Sequence, residues 1–122
     1  MSNPSLPKFK SKEFLIEHVK SIMAFYHPHC IDNNVGGFFQ HFRDDGSIYD
    51  FETRHLVSST RFIFNYSMAA IHFDNNDYLD AALHGIEYLR NSHLNKETGG
   101  YAWTMKGNEV DDSTNYCYGL AF

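Results

Sequence analysis

One internal repeat constrains the fold of this 122-residue chain more than any other feature of its sequence. Gly36-Gly37-Phe38 recurs as Gly99-Gly100-Tyr101, 63 residues further along. Each copy follows an amphipathic segment and a short polar loop, and each precedes an aromatic stretch and a turn. Repeats of this length are typical of stacked units that bury their apolar faces against their neighbours. The predicted unit is an outer helix, a hairpin loop and an inner helix.

The two predicted outer helices each have one apolar face. Leu15 and Val19 begin a stripe at helical spacing, which predicts a helix over residues 12–27 with Ser11 as its N-cap. Residues 77–92 show the same one-sided pattern. Both helices are therefore expected to lie on the outside of the fold.

The predicted inner helices are apolar on more than one side. A helix over residues 54–72 is expected to be buried on most sides, because apolar side chains surround it. One polar line crosses it on a single face. Its members are Arg54, Ser58, Arg61, Asn65 and His72. A fourth helix is predicted over residues 114–122, capped by Asp112 or Ser113. Its shared face would hold Asn115, Tyr118 and Phe122.

Short strands are predicted beside a turn in each copy of the repeat. Residues 38–42 lead into the turn Asp44-Asp45-Gly46-Ser47, and residues 101–105 lead into Lys106-Gly107-Asn108-Glu109. Apart from these hairpins the fold class is predicted to be all-α, with two concentric layers of helices. Such layers form either an α/α barrel or a shorter array of αα-hairpins.

The predicted domain organisation is an N-terminal extension followed by part of a barrel domain. Residues 1–11 form the extension and residues 12–122 the domain. The last residues run into an apolar helix that has no glycine cap, so we expect the domain to continue beyond Phe122. Two hairpins leave two uncovered apolar flanks, so this chain alone is expected to self-associate.

Composition excludes several kinds of partner. The chain has 15 acidic and 10 basic residues, and the basic ones are scattered, which argues against nucleic acid or an anionic membrane. Without a leader or an apolar span, and with two cysteines, the chain is expected in the cytoplasm. His27, His29 and Cys30 lack the paired spacing of a zinc site, and no cofactor motif is present. We therefore expect neither a metal nor a cofactor.

A set of motifs in fixed order resembles the N-acylglucosamine 2-epimerase superfamily over residues 13–122. The motifs are Gly36-Gly37-Phe38-Phe39, Asp45-Gly46, Thr53-Arg54-His55-Leu56-Val57-Ser58-Ser59-Thr60-Arg61, Gly99-Gly100-Tyr101, Asp112 and Tyr118-Gly119-Leu120-Ala121-Phe122. The Arg-His-Leu-Val stretch is most similar to the D-mannose isomerase branch. The resemblance implies an (α/α)6 barrel with a monosaccharide site in its lumen. Six units of this period would need roughly 380 residues, so this chain would supply the first two hairpins.

The same resemblance implies a reaction and two sugar-binding residues. Family enzymes interconvert aldoses and ketoses, or 2-epimers, through proton transfer beside the carbonyl. Arg61 and Tyr118 match family positions that bind sugar, and a guanidinium stabilises an enediolate. Lower-ranked candidates for substrate binding are Arg54, His55, Asn65 and Asn115. Leu120 stands where many relatives have histidine, and the acid and base histidines are expected beyond Phe122, so no catalytic residue is assigned here.

Several alternatives stay open at this stage. The product could be a ketose, as from an isomerase of the mannose–fructose type, or a 2-epimer, as from a sugar 2-epimerase. A glycoside hydrolase or lyase would need lumen carboxylates, which the polar line lacks. A non-catalytic αα-hairpin module that binds another protein is the alternative from another class. Trp103 and Tyr101 could stack on a sugar or only pack the loops.

Overall fold

The computed structural model describes residue 6 and residues 8–122, so most of the predicted 1–11 extension lies outside it. Within these described residues, four α-helices, a π-helical turn and five short strands follow one another. They are α1 (Lys12–Tyr26), β1 (His41–Phe42), β2 (Ile48–Asp50), β3 (Thr53–His55), α2 (Leu56–Phe73), α3 (Asn76–Tyr88), the π-turn (Leu89–His93), β4 (Thr104–Lys106), β5 (Glu109–Asp112) and α4 (Cys117–Ala121).

The repeat seen in the sequence is reproduced by backbone hydrogen bonds. The isolated β-bridge Ile31↔Phe38 has its counterpart in Leu94↔Tyr101, again 63 residues later. In the first loop the backbone N–H of Asp32 donates to the Gly37 carbonyl over 3.1 Å, and in the second loop Asn95 donates to Gly100 over 2.7 Å. The predicted repeat is therefore a structural repeat.

Gly37 shows why the first loop requires glycine. Its φ is +72°, a left-handed conformation that side chains with a Cβ rarely adopt. A Cβ at this position would also lie only 2.8 Å from Cδ1 of Tyr88. The loop backbone is thus packed directly against an aromatic ring at the end of α3.

The outer helices follow the predictions closely. Ser11 caps α1, because its Oγ accepts a hydrogen bond from the Phe14 N–H at 3.1 Å. The helix predicted over residues 77–92 begins one residue earlier, and its last turn is a π-turn. Asn75 caps it by accepting from the N–H of Tyr78.

The starts of both inner helices were predicted wrongly. The helix predicted from residue 54 begins at Leu56, because Arg54 and His55 belong to β3 and His55 is the N-cap. The helix predicted from residue 114 begins at Cys117. Neither Asp112 nor Ser113 caps it: Asp112 ends β5 and accepts from the N–H of Thr114.

The all-α expectation for the fold class is not confirmed, because the described residues form two small sheets beside the helices. β1 and β2 form the first predicted hairpin, and β4 and β5 form the second. β3 was not predicted. It pairs antiparallel with β4, placing Thr53 opposite Lys106 and His55 opposite Thr104. The resulting three-stranded sheet joins the first repeat to the second.

The core lies between α1, α2 and α3, with the ring of Phe38 at its centre. Phe38 is fully buried and stacks on Phe62 and Tyr66. Other buried members are Met23, Cys30, Ala69, Ala81 and Ala82. Helices α2 and α3 approach each other closely at Gly85, where a Cβ atom would lie 2.6 Å from both Ile63 and Phe38.

One side of α2 is more exposed than the sequence predicted. Phe64 is 64% exposed and Ile71 is 75% exposed, and Leu83 of α3 is exposed as well. No element among the described residues covers this side of α2. The expectation that α2 is buried on most sides is therefore wrong for this chain, and the expected uncovered flank is present.

Candidate functional site

Three members of the predicted polar line meet in one groove. Ser58, Arg61 and Asn65 lie on the same face of α2 and line a cavity of about 260 Å³. The opposite wall is the second half of α1, including Met23 and Tyr26, and Gln40 completes the lining. Among the described residues that line this groove there is no carboxylate. It can offer hydrogen-bond donors and one positive charge to a small polar ligand.

Arg61 and Tyr118 come together although they are far apart in the chain. Nη2 of Arg61 donates to the Tyr118 hydroxyl at 3.4 Å. The guanidinium also lies over the Phe122 ring, 4.7 Å from its centroid, and this ring packs against Tyr118. All three side chains are exposed. The cation–π contact and the hydrogen bond orient the guanidinium while leaving most of its donors free.

Arg54 lies elsewhere and is engaged by the protein itself. It is fully buried, and its Nη2 forms an ion pair with Oδ2 of Asp32 at 2.6 Å. Its Nη1 donates to the Phe51 carbonyl at 2.8 Å, and its guanidinium lies over the Phe39 ring. Arg54 therefore joins β3 to the first Gly-Gly loop instead of sharing a helix face with Arg61.

His55 occupies the junction between sheet and helix. Its Nδ1 accepts a hydrogen bond from the Val57 N–H at 3.2 Å, which caps α2. Its ring contacts Trp103, with the centroids 4.3 Å apart. Burial, and to a lesser extent the nearby His41, lowers the pKa of the His55 imidazole. A neutral ring is required here, because only an unprotonated Nδ1 can accept.

The two asparagine candidates are in different places. Asn65 lies in the groove with Arg61. Asn115 precedes α4, and its Oδ1 accepts from the Tyr101 N–H at 3.2 Å, so it supports the second Gly-Gly loop. Trp103 packs between His55 and Tyr116.

Two groove residues were missed by sequence reasoning. Gln40 sits in the aromatic stretch after the first Gly-Gly loop, where nothing distinguishes it from a strand residue. Tyr66 was counted only as an apolar member of α2. Its hydroxyl lies 3.0 Å from Nδ1 of His27 and 3.1 Å from Sγ of Cys30, in a buried polar chain. For Gln40 the one available signal is the alignment of the two repeats, because Gln40 corresponds to Trp103, which the sequence had marked as a residue that could stack on a sugar.

Over the described part of the chain, no group of three or more His, Cys, Asp or Glu side chains is arranged to hold a metal ion. No helix in that part is long and apolar enough to span a bilayer.

Known proteins match both the sequence and the fold. The family model for N-acylglucosamine 2-epimerase matches residues 37–122. A D-mannose isomerase from Marinomonas mediterranea is 57% identical over 118 residues, which is 97% of this chain and 29% of that protein. A cellobiose 2-epimerase from Eubacterium cellulosolvens is 28% identical over 104 residues, covering 84% of this chain and 25% of that protein.

Solved structures agree with these matches. The crystal structure of a D-mannose isomerase superposes with a TM-score of 0.91 at 56% identity, over 96% of this chain and 29% of the other. A sugar epimerase from a ruminal bacterium superposes with a TM-score of 0.77 at 22% identity, over 88% of this chain and 29% of the other, which shows a shared fold. This chain thus spans less than a third of the length of these relatives.

Proposed function

Because this chain belongs to the N-acylglucosamine 2-epimerase family, we propose that it supplies the sugar-binding arginine and tyrosine of an aldose–ketose isomerase of the mannose–fructose type. The observation that carries the proposal is the contact between Arg61 and Tyr118 beside a polar groove of about 260 Å³. The 57% identity to a D-mannose isomerase favours D-mannose as the substrate.

The proposed reaction moves protons between two neighbouring carbons of the sugar. A base removes the proton from carbon 2, the negative charge spreads onto the oxygens of carbons 1 and 2, and a proton is delivered to carbon 1. The hydroxyl proton on oxygen 2 moves to oxygen 1, so the aldose becomes a ketose. Arg61 stabilises the charged enediolate, and Tyr118 adds a hydroxyl that can donate to a sugar oxygen.

The acid and base are proposed to come from outside these residues. The groove's own lining holds no histidine and no carboxylate. We place this chain as two hairpins of a six-hairpin α/α barrel, with residues 12–122 in the barrel domain. Its 29% share of the relatives' length supports this placement, since two hairpins of six are a third. The uncovered side of α2 would then face a neighbouring helix of the complete barrel.

The test is a fusion in which this chain replaces the homologous stretch of the Marinomonas mediterranea enzyme. We expect the fusion to interconvert D-mannose and D-fructose. Arg61→Ala should lower kcat/KM by a factor of about 100 or more, since it removes a charged donor to the enediolate. Arg90→Ala, at an exposed arginine of the π-turn, is the matched control and should keep full activity. Unchanged activity in Arg61→Ala would contradict the role of this residue.

A sugar 2-epimerase is the second candidate, favoured by the matches to cellobiose 2-epimerases. The two activities share the enediolate and differ in where the proton returns. Product analysis separates them, because D-mannose yields D-fructose by isomerisation and D-glucose by 2-epimerisation. A fusion that forms neither product would overturn the proposed function.

A further inference from the structure

We propose that Gln40 binds the sugar in the groove directly, through two neighbouring hydroxyl groups. This inference rests on the proposed function and adds a specificity-determining residue to it. Gln40 lines the same cavity as Arg61 and Asn65, and it enters that cavity from the first hairpin, opposite the polar face of α2.

The orientation of the Gln40 amide is determined by its neighbours. Its Oε1 accepts a hydrogen bond from the backbone N–H of His55 at 2.7 Å. Its Nε2 donates to Oγ of Ser59 at 2.8 Å. A backbone N–H can only donate, so the atom facing it must be the amide oxygen. The two ends of the amide are therefore distinguishable, and each is held by one hydrogen bond.

Each end of the amide retains unused hydrogen-bonding capacity. The oxygen has two lone pairs and His55 uses one, while the nitrogen has two N–H groups and Ser59 uses one. Gln40 is only partly buried and belongs to the groove lining, and the proposal assigns its remaining acceptor and donor to the sugar. Vicinal sugar hydroxyls can donate to the first and accept from the second. Because the amide is already held in place, binding costs little side-chain entropy.

A purely structural role must be separated from sugar binding. Gln40 also ties the first hairpin to the start of α2, so its removal would disturb the helix that carries Arg61. Gln40→Glu keeps an oxygen on the His55 N–H and can accept from the Ser59 hydroxyl, but it has no free N–H. Gln40→Met keeps the length of the side chain and removes both polar ends.

The experiment measures KM and kcat for D-mannose in the fusion protein, together with the melting temperature of each variant. We expect KM to rise about tenfold in Gln40→Met and about threefold in Gln40→Glu, since one or two hydrogen bonds to a neutral ligand are lost. In Gln40→Glu the melting temperature should stay close to that of the unsubstituted protein, which separates a loss of sugar binding from a loss of folding. Asn91→Ala, which alters an exposed amide away from the groove, is the control and should change neither constant.

The outcomes separate this inference from the proposed function. If the fusion is active and both Gln40 variants keep the original KM, the inference is wrong and the function stands. If only stability and kcat fall while KM stays constant, Gln40 is structural, which also overturns the inference. If the unsubstituted fusion turns over no sugar, the proposed function itself fails, and the inference with it.

Discussion

Replacing Asp32 by asparagine should destabilise this chain by about 3–5 kcal/mol, the usual cost of removing one partner from a buried ion pair. The pair consists of Oδ2 of Asp32 and Nη2 of Arg54, 2.6 Å apart, and the arginine side chain is completely buried. The neutral variant would leave a guanidinium that neither water nor a carboxylate reaches.

The geometry of the loop makes the substitution worse than a simple loss of charge. Oδ1 of Asp32 accepts from the N–H groups of Asn34 and Val35, at 2.9 and 3.1 Å. An asparagine would keep its oxygen on these two donors, which forces its NH₂ group toward Arg54. Two sets of donors would then face each other in a buried site.

The second repeat provides a natural control for this prediction. Asn95 occupies the equivalent position, and its Oδ1 accepts from the N–H groups of Glu97 and Thr98 in the same way. Asn95 is exposed, so Asn95→Asp should change the stability by less than about 0.5 kcal/mol.

The assay is urea denaturation followed by circular dichroism at one fixed protein concentration, with the free energy of unfolding of each variant compared with that of the unsubstituted chain. If Asp32→Asn does not fold at all, Arg54→Lys gives a measurable intermediate. The single side-chain nitrogen of lysine keeps the positive charge but cannot reach both Asp32 and the Phe51 carbonyl. We therefore expect the free energy of unfolding to fall by about 1–3 kcal/mol. A loss below about 1 kcal/mol in Asp32→Asn would refute the reasoning.

Two further predictions concern thiol reactivity and assembly. Iodoacetamide at pH 8 should alkylate the exposed Cys117 and spare the buried Cys30. Burial raises the pKa of the Cys30 thiol to about 11, so little reactive thiolate is present at pH 8. Equal labelling of the two cysteines, measured by mass spectrometry, would contradict this prediction. The isolated chain should self-associate through the exposed apolar side of α2, and Ile71→Lys should shift it toward monomer in sedimentation velocity, whereas Glu87→Lys on the polar surface should not. A monomeric unsubstituted chain would count against this assembly and favour the interaction-module alternative.

Local patterns in the sequence predicted those parts of the fold that local patterns determine. The repeat, the Ser11 cap and both hairpin turns depend on residues close together in the chain. β3 depends instead on pairing with β4, about 50 residues away, and such pairing leaves no periodic signal. Arg54 shows the consequence. It precedes Ser58 by four residues, which matches a shared helix face, but pairing with β4 places Arg54 in β3, where its side chain forms the ion pair with Asp32.

The residues of the candidate site also differ in how far the sequence could identify them. Family resemblance singled out Arg61 and Tyr118, and the structure brings the two side chains into contact. Helical spacing placed Ser58 and Asn65 on the face of α2 that carries Arg61, and the structure shows all three in the groove lining. Gln40 has no signal in its own stretch of sequence, because its position depends on the N–H of His55 and the hydroxyl of Ser59, neither of which the sequence places nearby.

The pairing of β3 with β4 also limits how this architecture can be re-engineered or recombined. In most helical repeat proteins neighbouring units meet only through side chains, so one unit can be exchanged for a homologous one. Here the strand leading into α2 takes its backbone partners from the following repeat. Exchanging a single helical hairpin with that of a relative would therefore separate β3 from β4 and divide their sheet between the two parents. Recombination boundaries that keep residues 53–112, and so all three strands of that sheet, from one parent should yield folded hybrids more often than boundaries between the two helical hairpins.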